Sequence, residues 1–307
     1  MNSLIAALPI ISLILLGYIL KKFNFFKEQT VKEIKNFVSN ITLPALLVNA
    51  FLALEIESRY LIMIPVVTIL CFVMVFIGNL VKRIGRIETP YFPLLMAGFE
   101  MGMFGYAIFF SFYGQENFPK IAFLSLGQSI FIFTYVISKM KSIQNGKDSI
   151  IEVIKRFVSS PIVISIITGV VLGSFKGVVT VTPFLKSIHS FIILLGSITV
   201  PLISITIGYG LKISKKGLKL SIITILVRKS VLLVFALLIN HYIIDSLLHM
   251  PYIYQISFLF IMIAPPPFLY SAFCDQNDRE NVAYIDQTVS LDCIVSIISS
   301  MIIVLVV

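Results

Sequence analysis

Glu100 is a carboxylate set inside a long apolar stretch, in the run Gly98-Phe99-Glu100-Met101-Gly102-Met103-Phe104-Gly105. Glycines loosen a helix, and an ionised carboxylate in hydrocarbon is costly. Two roles suit such a group. As a structural carboxylate it is capped by neighbouring amides; as a coupling group it binds and releases a proton or a cation. Asp292 lies about as deep in the last apolar stretch, and Asp286 lies nearer one end of it, with Gln287 and Thr288 alongside. Gln128 and Ser129 sit half-way along the fifth stretch. Hard cations take oxygen ligands, so Glu100, Gln128 and Asp292 are the expected sodium set, and Asp286 and Gln287 join them as ion-coupling candidates. The same side chains also serve as polar glue between helices. Arg228 and Lys229, deep in the eighth stretch, either snorkel or pair with Asp292 or Glu100, or else attract an anion.

These residues need elements that can hold polar groups in an apolar setting. Ala264-Pro265-Pro266-Pro267 interrupts a second apolar stretch, and three prolines in a row cannot be ordinary helix. Two broken stretches in corresponding halves of a chain point to a transport site between them. No HExxH, GxSxG, Walker or nucleotide-binding pattern occurs, and His189, His241 and His249 are isolated. Cys71, Cys274 and Cys293 have no metal spacing and read as packing residues. The expectation is therefore a non-enzyme with no cofactor.

The setting is a bilayer. The 307 residues are 58% hydrophobic and 13% charged, with a mean hydropathy of +1.00, where a soluble domain is roughly 25% charged. The apolar runs predict ten helical spans, near 3–20, 34–53, 60–81, 91–112, 119–138, 159–175, 183–211, 219–240, 252–274 and 282–306. Net charge is +9, but the basic residues sit in loops, so membrane anchoring rather than nucleic acid accounts for it. Odd loops hold most of them, among them Lys21, Lys22, Lys82, Arg83, Lys141 and Lys215; even loops and their flanks hold Arg59, Lys120, Lys176 and Lys186. This bias predicts a multi-pass plasma-membrane protein with both termini extracellular and a cytoplasmic linker.

The halves echo each other. Pro9 through Gly17 and Leu20 matches Pro161 through Gly169 and Leu172, and Ile41-Thr42-Leu43-Pro44 matches Ile198-Thr199-Val200-Pro201. Phe112-Tyr113-Gly114-Gln115 matches Phe273-Cys274-Asp275-Gln276. The reading is an all-α membrane protein of two inverted five-helix repeats, 1–138 and 159–307, joined by a linker at 139–158, with broken, crossing helices 4 and 9. Glu100 is expected close to Pro265–Pro267.

The chain resembles the auxin efflux carrier family, within the bile-acid–sodium-symporter-like transporters. The resemblance runs through Leu16-Gly17-Tyr18, Thr42-Leu43-Pro44-Ala45, Pro201 and, most specifically, the fourth span. There the family's Asn-x-Gly-Phe-x-Gly-x-Pro reads Glu100-Met101-Gly102-Met103-Phe104-Gly105-Tyr106-Ala107, so Glu100 stands for the Asn and Ala107 for the Pro. The resemblance implies a secondary transporter of a small organic anion, such as a mono- or dicarboxylate. Its substrate contacts would fall at Glu100, Gly102, Gly105, Thr42, Pro44, Thr199, Pro201, Pro265, Pro266 and Pro267. A carboxylate at position 100 repels an anion unless protonated or occupied by a cation, which makes proton or sodium coupling the expectation. The expected partners are the substrate, a proton or sodium ion and the lipid bilayer, with a second copy of the chain as a further candidate. A membrane sensor that binds a small ligand without moving it is the alternative.

Overall fold

The computed structural model describes residues 2–54, 57–144, 146, 148–175, 182–211, 217–275 and 277–306; Lys147, Lys176, Lys212, Lys215, Lys216 and Gln276 lie outside the described residues. Every described element is helical. In chain order they are α1 (Asn2–Lys22), α2 (Glu28–Phe37), α3 (Leu43–Ala53), α4 (Met63–Ile84), α5 (Phe92–Leu95), α6 (Tyr106–Leu124), α7 (Leu126–Phe131), α8 (Ile137–Ile143) and α9 (Ile150–Val158). They continue as α10 (Pro161–Ser174), α11 (Pro183–Ser197), α12 (Thr199–Gly210), α13 (Leu218–Ile239), α14 (Tyr252–Ile263), α15 (Leu269–Phe273) and α16 (Arg279–Val306). Helix thus falls on all ten predicted stretches. Among the described residues, five helical segments are long and apolar enough to cross a bilayer, and seven if each of two bent pairs counts as one. These lengths establish a multi-pass helical protein, not the count of ten.

The outward-facing side chains are as apolar as the inner ones. On α13 the inner face carries Ser221, Thr224, Ile225, Arg228 and Leu232, while Leu226, Leu233 and Leu237 are exposed. Phe76 and Phe191 likewise point outward. A polar inner stripe with an apolar outer face is what lipid as solvent requires.

Helix pairs approach closely where glycine removes a side chain. A Cβ on Gly17 of α1 would stand 2.0 Å from the Ile205 carbonyl oxygen of α12, and one on Gly169 of α10 would stand 2.8 Å from the Val48 carbonyl oxygen of α3. Gly208 meets Ile14 in the same way, with 1.8 Å to its carbonyl oxygen. With no hydrophobic drive between helices in lipid, such close approach maximises dispersion contact.

The described residues of 139–158 carry two short helices, the end of α8 and all of α9. Ser149 and Glu152 form a capping box at the start of α9. Asp148 binds Lys141 at 2.7 Å, Arg156 at 2.5 Å and Ser138 at 3.0 Å. Ile150, Ile151 and Ile154 of α9 are exposed, as on a helix lying at a membrane surface. The two cationic partners hold the Asp148 carboxyl down to about 2.

Two stretches depart from helix where the sequence predicts breaks. α5 ends at Leu95, and the chain unwinds through Gly98, whose φ is +71°, before a wide helical turn at Met101–Gly105 leads into α6. α14 ends at Ile263, and Ala264 is extended ahead of the three prolines and α15. A further kink at Gly114, with φ +69°, divides α6.

Candidate functional site

Unwinding exposes main-chain groups that a helix would have paired, and each needs a partner in an apolar interior. The two unwound stretches supply partners to each other. The Glu100 N–H donates to the Pro265 carbonyl at 2.8 Å. The Tyr270 hydroxyl donates to the Ala97 carbonyl at 3.0 Å, and the Phe99 N–H reaches the Gln128 side-chain oxygen at 3.4 Å. Pro265, Pro266 and Pro267 are buried and bring no N–H of their own, so proline leaves no unmet donors here. Pro267 also packs on the bare face of Gly98, where a Cβ would lie 3.1 Å from its ring.

Glu100 joins the helices that follow the two breaks. Its Oε1 accepts the Met103 N–H at 2.9 Å, and its Oε2 accepts the Phe268 N–H at 2.7 Å. The half-buried carboxylate is therefore held at the positive, donor-rich starts of both. Gly105 N–H donates back to the Glu100 carbonyl at 2.9 Å. Gly102 lets the chain pass close beside the carboxylate: a Cβ there would lie 3.8 Å from Oε1 and press on Leu43 of α3 at 3.2 Å. The Lys35 ammonium lies 5.8 Å from the Phe268 ring.

The carbonyl side of the crossing is met by cations. Arg228, wholly buried, donates to the Gly98 carbonyl at 2.5 Å and to the Ala264 carbonyl at 3.0 Å, with its guanidinium 5.3 Å from the Phe99 ring. Lys229 donates to the Ile263 carbonyl, to Ser296 at 3.0 Å and to Asp292 at 2.8 Å. Arg228 stands 3.7 Å from Asp292 as well. Asp292 belongs to a polar stripe on α16, with Thr288, Ser296 and Ser300 spaced four residues apart; Thr288 donates to Ser221 of α13 at 2.9 Å.

The predicted residues fall into separate groups. Glu100, Gly102, Gly105 and Pro265–Pro267 gather at the two breaks, and Gln128 touches them through Phe99. Asp292 reaches them only through Arg228 and Lys229. Asp286 hydrogen-bonds Ser271 of α15, and the buried Gln287 lies on the same turn of α16, facing Gly217. Thr42 and Thr199, at matched positions, are wholly buried, and their hydroxyls have no hydrogen-bond partner among the described residues. Pro44 opens α3, whereas Pro201 faces outward from α12. Of the expected sodium set, Glu100 accepts two N–H groups, Gln128 meets the Phe99 N–H, and Asp292 pairs with two cationic side chains. Among the described residues no group of three His, Cys, Asp or Glu side chains converges.

Sequence reasoning missed the Met103 and Phe268 N–H donors, Tyr270 and Ser296. Main-chain donors carry no sequence signal; Ser296 was accessible from its four-residue spacing from Asp292.

The whole arrangement lies within a known family. Residues 3–304 match the family described as membrane transport protein. The chain belongs to that family, the auxin efflux carriers. It is 27% identical over 226 residues to an uncharacterised transporter of Methanocaldococcus jannaschii, covering 70% of each chain. It is 24% identical over 181 residues to an uncharacterised transporter of Methanothermobacter thermautotrophicus, covering 56% of this chain and 58% of that one. As a family member it is a multi-pass transporter, with a small molecule and the bilayer as its partners.

Proposed function

We propose that this family member is a secondary active transporter that moves a small organic anion across the plasma membrane, coupled to a proton or sodium ion through Glu100. The observation that carries this reading is the double hold on Glu100, by the N–H groups of Met103 and Phe268 from either break. A substrate carboxylate needs donors of the same kind. While Glu100 is charged it keeps them and repels the anion; once neutralised, it loosens its grip and lets them turn to the substrate. Cation and anion then bind with reciprocal coupling, each raising the other's affinity. Gly102, Gly105, Thr42, Pro44, Thr199 and Pro265–Pro267 line the proposed substrate path, with the unpartnered hydroxyls of Thr42 and Thr199 as further donors; Pro201, which faces outward, is left off it.

The scaffold for this is two inverted five-helix repeats, 1–138 and 159–307. The glycine contacts support it. Gly17 matches Gly169, and Val48 and Ile205 stand four residues beyond the matched Pro44 and Pro201. Gly17 packs on Ile205 and Gly169 on Val48, so each repeat's first helix seats on the other's second through equivalent residues. In this reading α3 and α12 hold the static side and the two breaks move against it.

Purified full-length protein in liposomes loaded with unlabelled malonate, malate or acetate tests the class. The expected result is counterflow of the matching labelled carboxylate by at least one of them. Saturable binding of a carboxylate, with no counterflow under any gradient, would make the protein a sensor instead.

A further inference from the structure

We infer that Lys229, steadied by Arg228, is the resident cation of the crossing: its ammonium fills the position that a sodium ion would take at Asp292, so this centre binds no sodium. A sodium ion at a helix break is held by freed carbonyl oxygens, hydroxyls and a carboxylate. That ligand set is present here, in the carbonyls of Ile263 and Ala264, the hydroxyl of Ser296 and the carboxylate of Asp292. All four lie within reach of one atom, Lys229 Nζ, at 2.8 Å from Asp292, 3.0 Å from Ser296 and 3.4 Å from the Ala264 oxygen, with Ile263 closer still. The ammonium thus stands at the centre of an oxygen cage.

Charge closes the argument. Arg228 takes the Gly98 carbonyl, shares the Ala264 carbonyl with Lys229, and lies 3.7 Å from the same carboxylate. The buried Arg228 and the partly buried Lys229 already face Asp292, and a third positive charge would meet repulsion. Ser296 donates to the Ile263 carbonyl at 2.5 Å and to Asp292 at 3.4 Å, so it too is committed. Both basic residues come from one turn of α13, and tethering them to the chain makes the positive charge a permanent part of the fold. Coupling at Glu100, on which the proposed function rests, is then left without a second cation at Asp292.

The test is binding of sodium alone, which leaves it independent of the transport reading. Unfolding of the full chain in detergent is followed in sodium, potassium and choline chloride at one ionic strength. A ligand of the folded state raises the midpoint by mass action. The parent is expected to show no sodium-specific rise that depends on Asp292, so any rise from sodium at Glu100 should survive Asp292→Asn. Lys229→Ala, which empties the cage and leaves Asp292 in place, is expected to gain a sodium-specific rise of several degrees. Lys229→Gln serves where the alanine variant fails to fold. A sodium-specific rise in the parent that Asp292→Asn abolishes would overturn the inference. So would a folded Lys229 variant that responds equally to all three salts. Failure of counterflow with these midpoints intact would count against the anion reading only.

Discussion

At Glu100 a single side chain does the work of two helix caps. Its depth in an apolar stretch and the glycines around it are legible in the sequence, and so is its choice between a capped and a coupling role. What holds it is not legible, because Met103 and Phe268 act through their main-chain N–H groups, which every residue but proline carries. The geometry joins the two roles, since the cap is itself the donor set that an anion would need. Arg228 was readable as a buried charge seeking a carboxylate. Its carbonyl partners were not, since they exist only once the helices at Gly98 and Ala264 have unwound. Arg228→Met keeps the bulk and removes the donors, leaving the Gly98 carbonyl unmet and the Ala264 carbonyl with Lys229 alone at 3.4 Å. One unmet buried group costs about 1–3 kcal/mol, so chemical unfolding should show a loss of that size. A variant as stable as the parent would show that the guanidinium does not hold the crossing.

Among the elements, the breaks were legible in the chain because proline and glycine act locally, whereas Gly17 and Gly169 were legible as matched repeat positions and not as helix seats. Pro265–Pro267 must end α14 wherever it lies, and the matched Gly17 and Gly169 mark two close approaches. Which helices they approach was beyond local reasoning, since the partners lie far along the chain. Gly208→Ala tests the closest of these seats. Its Cβ would fall 1.8 Å from a main-chain oxygen that cannot swing aside, so α1 and α12 must separate. Overpacking of this sort costs about 1–3 kcal/mol, and the midpoint of thermal unfolding should fall accordingly. An unchanged midpoint would mean that the two helices already move apart freely. The linker gives a different test. Asp148 is depressed to about 2, so its stabilisation of α8 and α9 is present above the ordinary aspartate range and is lost as pH falls toward about 2. Asp148→Asn should open the segment at neutral pH by about 1 kcal/mol, read as roughly fivefold faster trypsin cleavage near Lys141 and Lys155. Equal cleavage rates for the two proteins at neutral pH would contradict this account.

For the whole molecule, hydropathy fixed the class and left the count unsettled. Apolar stretches are legible because lipid demands them on every outward face. Bends at Ser125 and Ser160 and the unwound breaks divide them into pieces shorter than a bilayer crossing, so length alone yields five to seven spans where the pattern predicts ten. The loop lysines carry the proposal that the linker is cytoplasmic and both termini lie outside. In sealed cells, a cysteine placed at Ser149 should label only after the membrane is opened, while a tag at either terminus should label from outside. A terminus reached only from the inside would reverse or break the ten-span topology. The central claim, however, concerns coupling, and Glu100→Gln in proteoliposomes tests it most directly. Glutamine keeps the size of the side chain and one acceptor while fixing the neutral state. The account predicts that the variant exchanges labelled carboxylate across the membrane as the parent does, yet no longer concentrates it under a pH or sodium gradient. Uphill accumulation equal to the parent's, with the same dependence on pH and sodium, would contradict the account and leave Glu100 as a helix cap alone.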